Sequence, residues 1–163
     1  MIVVSNTSPI TNLAAIDQFD LLQKLYGSLY IAEGVWVELN AKDQIWPGSN
    51  DVKNSSWVKR AKVKNKTAVA TLREDLDRGE SETIALAIEQ QADLILVDET
   101  EGRHKARRLG LNVTGVMGVL VEAKSKGYIS QIRTHLDRLR QEAGFYLSEK
   151  VYQEILKLAG ETT

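Results

Sequence analysis

The residues that invite chemistry stand where short apolar runs end. Met1 to Val4 lead into Ser5, Asn6, Thr7 and Ser8, and Leu94-Ile95-Leu96-Val97 leads into Asp98 and Glu99. Two more acids lie beside apolar helix positions, Glu38 in V-W-V-E-L and Glu82 in G-E-S-E-T-I-A-L-A. Carboxylates rarely flank a core unless something pairs them. Brought to one place these would repel one another, and a divalent cation would relieve the repulsion. Oxygen-only ligation with few carboxylates suits Mg²⁺ or Mn²⁺, which keep waters for a substrate phosphate to replace. Such a centre activates water and stabilises the leaving oxygen in phosphodiester hydrolysis. Spacing alone leaves simpler roles open. Ser8 can cap a helix with Pro9 at its first position. Asp77-Arg78-Gly79-Glu80 reads as a capping box, Glu38 as the wet edge of a helix, and Asp98 as a cap for the helix after it.

The elements that must position these residues follow from hydrophobic periodicity. The first apolar run reads as a buried parallel strand. A short helix holds Ile10, Leu13, Ala14 and Ile16, and Asp17 is placed to cap a second, which Gly27 ends. Leu29 to Ala32 predicts a strand and Glu33 the start of a third helix. The stretch from Asn40 to Ser56 is irregular and rich in loop formers. Trp57 to Val63 is a basic candidate strand, with Lys59, Arg60, Lys62, Lys64 and Lys66 near a possible stacking group in Trp57. A helix over Thr67 to Leu76 precedes the capping box and a buried helix to Glu89. Leu94 to Asp98 is the clearest strand. A basic helix follows, carrying Arg103, His104, Lys105, Arg107 and Arg108 and closed by Gly110. Leu111 to Thr114 predicts a last strand. Helices over Gly115 to Lys126, Ile132 to Ala143 (started by Ser130) and Glu149 to Leu158 (started by Ser148) complete the chain. Strands alternating with helices imply βαβ units and a mainly parallel sheet with right-handed crossovers. In such sheets ligands bind beyond the carboxyl ends of the strands.

At 163 residues the chain is expected to form one domain spanning 1–163, a motif-bearing core over 1–127 and C-terminal helices over 128–163. The net charge of −1 gives no global attraction for nucleic acid, so any such binding must use local patches. The absence of cysteine excludes a disulfide scaffold and a thiolate zinc site, and fits a reducing, cytoplasmic setting. No apolar run approaches the roughly 18 residues of a membrane helix.

V-V-S-N-T-S-P-I, V-W-V-E-L, G-E-S-E-T-I-A-L-A and L-I-L-V-D-E, followed by G-R and A-R-R-L-G-L, resemble in order a PIN domain. More narrowly, the chain is similar to a prokaryotic subfamily related to VapC-type toxins. The resemblance implies a three-layer α/β/α fold and a Mg²⁺- or Mn²⁺-dependent ribonuclease. Carried over by position, it places Asn6, Glu38, Glu82 and Asp98 at the metal, with Glu99 as an auxiliary acid and Glu38, Glu82 and Asp98 as the catalytic set. Thr7 or Ser8 matches a hydroxyl that orients the first acid. Arg103, Lys105, Arg107 and Arg108 are then candidates for the RNA backbone. The resemblance further implies a homodimer, RNA as partner, and a small protein antitoxin. The family usually has Asp where this chain has Asn6, whose amide offers a carbonyl oxygen but no charge. The alternative is therefore a non-catalytic nucleic-acid-binding or regulatory PIN module. A receiver-like or nucleotide-binding domain using Asp98 lacks a G-x-G-x-x-G or P-loop pattern after any strand.

Overall fold

The computed structural model describes residues 1–41 and 46–161. Part of the irregular Asn40–Ser56 stretch, 42–45, and the last two residues of the chain lie outside them. The elements run β1 (Val3–Ser5), α1 (Thr7–Ala15), α2 (Leu21–Tyr26), β2 (Leu29–Ala32), α3 (Glu33–Leu39), α4 (Ser49–Asn54), β3 (Val58–Ala61) and α5 (Lys66–Leu72). Then follow α6 (Arg78–Glu89), β4 (Leu94–Leu96), α7 (Thr100–Arg108), β5 (Val113–Thr114), α8 (Val116–Ser125), α9 (Arg133–Gln141) and α10 (Glu149–Leu158).

The strands form one sheet in the order β3-β2-β1-β4-β5, and every pairing is parallel. Both faces of a parallel sheet must be covered, so its strands read as continuous apolar runs. Successive side chains point to opposite faces, and the core divides accordingly. Val3, Leu29, Ile31 and Leu96 pack with α1, α2, α3, α8, α9 and α10. Val4, Ala32, Ile95 and Val97 pack with α5, α6 and α7. The result is the three-layer α/β/α architecture expected. The order reverses between β1, whose next strand lies on one side, and β4, which lies on the other. This is the switch point at which α/β sheets open a crevice.

Local chemistry explains where the sequence reading and the structure part. Helix α1 starts earlier than Ser8 predicts. Its N-cap is Asn6, and Pro9 is its third residue. Proline is tolerated there because the first N–H groups of a helix have no intrahelical partner. Asp17 does not cap α2, whose N-cap is Asp20. Asp17 takes a left-handed backbone (φ 59°) just past α1, and its carboxylate pairs with Arg138 at 2.9 Å. The capping box does form: Asp77 Oδ1 accepts the Glu80 N–H at 2.8 Å. Ser148 likewise caps α10 through Val151 N–H at 3.2 Å. Helix α4 was not expected from its turn-forming sequence. Gly48, with φ 92°, turns the chain into it. Trp57, partly buried, packs tilted against Phe19 with ring centroids 5.0 Å apart, at the edge of the core. None of the described helices is long and apolar enough to cross a membrane.

Candidate active site

The switch point gathers polar groups from four elements. Asn6 follows β1, and its N–H donates to Leu96 O of β4 at 2.9 Å, which locks the two strand ends together. Asp98 and Glu99 follow β4. Helix α3 brings Glu38, and the N-terminus of α6 brings Asp77 and Glu80.

One short helix organises most of these acids. Thr7 Oγ1 of α1 donates to Glu38 Oε2 at 2.9 Å. Ser8 Oγ donates to Glu99 Oε1, and Asn6 Nδ2 donates to Glu99 Oε2 at 3.2 Å. Asn12 Nδ2, one turn on, donates to Asp98 Oδ2 at 3.2 Å. The other oxygen of Asp98 accepts the Val116 N–H at 2.8 Å, so Asp98 caps α8, a helix beyond the one that follows it. Both of its oxygens thus already accept a hydrogen bond.

Gly79 marks the centre of the cleft. A β-carbon there would lie 3.0 Å from Glu38 Oε2, 3.4 Å from Asn6 Oδ1 and 3.6 Å from Asp77 Oδ1. Three oxygens therefore face one point that glycine leaves open. Glu80 is buried against Asp77, its Oε2 turned toward Gly102 of α7. Glu82 lies elsewhere: its Oε1 accepts the Gly34 N–H at 2.9 Å and its Oε2 pairs with Arg78 Nε at 2.5 Å. Two residues apart on a helix is about 200° of rotation, so Glu80 and Glu82 must face different surroundings.

Arg103, beside Asp98, is the one cation among the described residues that acts on these acids, and it forms no ion pair with them. Among the described residues every ion pair lies outside Glu38, Asp77, Glu80, Asp98 and Glu99. The electrostatics follow. Burial raises the pKa of Glu38, the Thr7 hydroxyl opposes that, and the charges of Asp77 and Glu99 add to the rise. Glu80 is pushed up to about 7, first by burial and then by Asp77 and Glu99. Burial pushes Asp98 up to about 6 against the donors Val116 N–H and Asn12.

Linkage gives these shifts a measurable sign. Glu80 and Asp98 rise from ordinary values of 4.5 and 3.8, so the folded state holds protons that the unfolded chain has released. Their contribution to stability is present at low pH and is lost as pH rises through about 6 and then 7. In metal-free buffer the urea midpoint is expected to fall between about pH 4 and 7, and Glu80→Gln is expected to flatten that fall.

These features test whether a cation fits. The donor set is oxygen only, it surrounds an open point at Gly79, and its charges are uncompensated, which together suit a hard divalent ion. No three of the described Asp, Glu and His side chains converge tightly enough to hold a metal by themselves. The group around Gly79 is Asn6, Glu38 and Asp77, one of which is an amide. The residues fit by type and place.

The basic candidates on α7 divide. Arg103 is half-buried, and its Nη1 donates to Val97 O at 3.0 Å beside Asp98. Lys105 pairs with Asp75 at 3.3 Å. Arg107 and Arg108 are exposed.

Fold and site together define an α/β protein with an acidic, oxygen-lined cleft at the switch point of a parallel sheet. The family model DUF3368, described as PIN domain, matches residues 2–161, and the chain belongs to the PIN domain family. No curated protein matches the chain. PIN domains are a nuclease family that generally uses a divalent metal and binds RNA.

Proposed function

We propose that this protein is an endoribonuclease of the PIN type that hydrolyses RNA phosphodiester bonds with Mg²⁺ or Mn²⁺. The observation that carries the reading is the group Asn6, Glu38, Asp77, Glu80 and Glu99, held at the strand ends with no cation among them. Glu38, Glu80 and Glu99, with the Asn6 carbonyl, would hold the ion, and Asp77 stands beside them. Asp98, of the acids implied by the resemblance, supports the cleft by fixing α8 and α1. Glu82 is assigned to Arg78 instead. A bound ion would supply a Lewis acid and a water of lowered pKa.

The chain's own groups do the positioning. Thr7 fixes one Glu38 oxygen, and Ser8 and Asn6 fix both oxygens of Glu99. Asn6 has a specific reason to be an amide: its Nδ2 donates to Glu99, where an aspartate would add a repelling carboxylate. The first acid of the family pattern is thus exchanged for a donor, with an acid retained across the strand gap at Glu99. A toxin role with an antitoxin partner, a homodimer and a cytoplasmic setting rest on the VapC-like resemblance.

The second reading, a binding module that does not cut, is favoured by the lower charge at Asn6. Incubation of end-labelled single-stranded RNA separates the two. The nuclease reading expects cleavage with Mn²⁺ or Mg²⁺, none in EDTA, and none from Glu38→Gln. Binding without cleavage under all metals would establish the module instead.

A further inference from the structure

A second concavity, of about 320 Å³, opens on the same edge of the sheet, beyond the ends of β2 and β3. Lys62 follows β3, Lys66 begins α5, and Arg78 begins α6; Val63 and Val69 give it apolar walls. It also contains Glu33 and Glu82, each ion-paired with an arginine, though Glu33 Oε2 is buried without a hydrogen bond. Glu82 holds the Gly34 N–H and Arg78, and Glu33 pairs with Arg60 at 3.3 Å. The cations are not spent in the same way. Among the described residues Lys62 and Lys66 form no ion pair. Arg78 gives Glu82 its Nε, and neither Nη has a described partner. A guanidinium fixed through Nε presents its two Nη groups as a fork suited to a phosphate.

We propose that this pocket is a phosphate subsite in which Lys62, Lys66 and Arg78 receive a backbone phosphate of the RNA strand whose neighbouring phosphodiester lies in the acid cleft. The proposal rests on the reading of that cleft as an RNA site. The two places adjoin along α6: Arg78 lines the pocket, and the next residue, Gly79, faces Glu38 and Asn6. Consecutive residues of α6 thus border the two places, which is the arrangement one continuous strand needs. In this assignment Glu82 is a positioning residue that aims Arg78. The contacts carry no sequence information; they set the register of the strand. They also give the basic run after β3 a use that a merely solvated face would not have.

The test is fluorescence anisotropy of a labelled 12-nucleotide single-stranded RNA in EDTA, where no cleavage intervenes, across a KCl series. The full-length protein is compared with Lys62→Ala/Lys66→Ala, with Arg78→Ala, and with Lys150→Ala/Lys157→Ala. The last pair removes the same charge from exposed positions on α10, in the opposite layer. Each lost phosphate contact on a single strand lowers the slope of log affinity against log salt by about 0.7. The pocket pair is therefore expected to lower it by about 1.4, Arg78→Ala by about 0.7, and the α10 pair by well under half of the first change. Equal slopes for the pocket pair and the α10 pair overturn the subsite, even where the parent cuts RNA. A parent that binds with these slopes but cuts nothing overturns the nuclease reading alone. A parent with no salt-sensitive binding overturns the subsite, and the nuclease reading is then decided by cleavage with Mn²⁺ alone.

Discussion

Glu38→Gln and Glu80→Gln are each expected to lower the rate of RNA cleavage by at least about 100-fold, while Glu82→Gln leaves kcat within about threefold of the parent. Glu38 borders the open point at Gly79, Glu80 is buried against Asp77, and neither has a cationic partner among the described residues. Replacing either by an isosteric amide keeps the shape and removes one of the few charges able to hold a divalent ion. Glu82 has both oxygens engaged, one with Gly34 and one with Arg78. Its loss is expected to raise KM by loosening Arg78 and to spare the chemical step. Initial rates at saturating RNA, with circular dichroism to show that each variant is folded, check all three. A Glu82→Gln enzyme as inactive as Glu38→Gln would return Glu82 to the metal.

The largest effect on stability is expected from Leu13→Ala. Leu13 is fully buried in the core layer shared by α1, α2, α3 and α8. Truncating a buried leucine removes its transfer free energy and leaves a cavity, together about 2–5 kcal/mol. That is a large part of the 5–15 kcal/mol by which a domain is typically stable. At roughly 2–4 °C per kcal/mol for a chain of this size, thermal unfolding should shift downward by about 5–20 °C. The consequence reaches the site, because α1 supplies Thr7, Ser8 and Asn12 to three acids on other elements. The variant is expected to lose cleavage at temperatures where it is still mostly folded. A melt unchanged within 2 °C of the parent would mean that α1 is not anchored as described.

The sequence made the sheet legible because both faces of a parallel strand are buried. Leu29 to Ala32 and the run before Asp98 could belong to little else, and the β2 bounds coincide with those read from the sequence. Start signals with a side-chain acceptor were equally legible, at Asp77 and Ser148. Signals that depend on tertiary contact were not. Asp17 looks like a cap but serves Arg138, 121 residues away. Trp57 looks like a stacking group but lies against Phe19. In the cleft, Asn6, Glu38 and Glu99 are brought to one edge as the strand-end rule requires. Glu80 and Asp77 were read only as a capping box. A helix that starts at the carboxyl edge of a parallel sheet places its first turn over the crevice, so capping and site roles can fall on one residue. The rotation of about 200° between positions 80 and 82 was available from the sequence. Which of the two lies against Asp77 and which against Gly34 was not, because that depends on how α6 is turned against Ala32, Ile95 and Val97 in its own core layer.

Calorimetric titration of Mn²⁺ into the parent, Glu80→Gln and Glu82→Gln tests the proposed acid set most directly. The parent and Glu82→Gln are expected to bind with similar affinity, and Glu80→Gln to bind at least about tenfold more weakly or not at all. Undiminished binding by Glu80→Gln, with binding lost in Glu82→Gln, would contradict it.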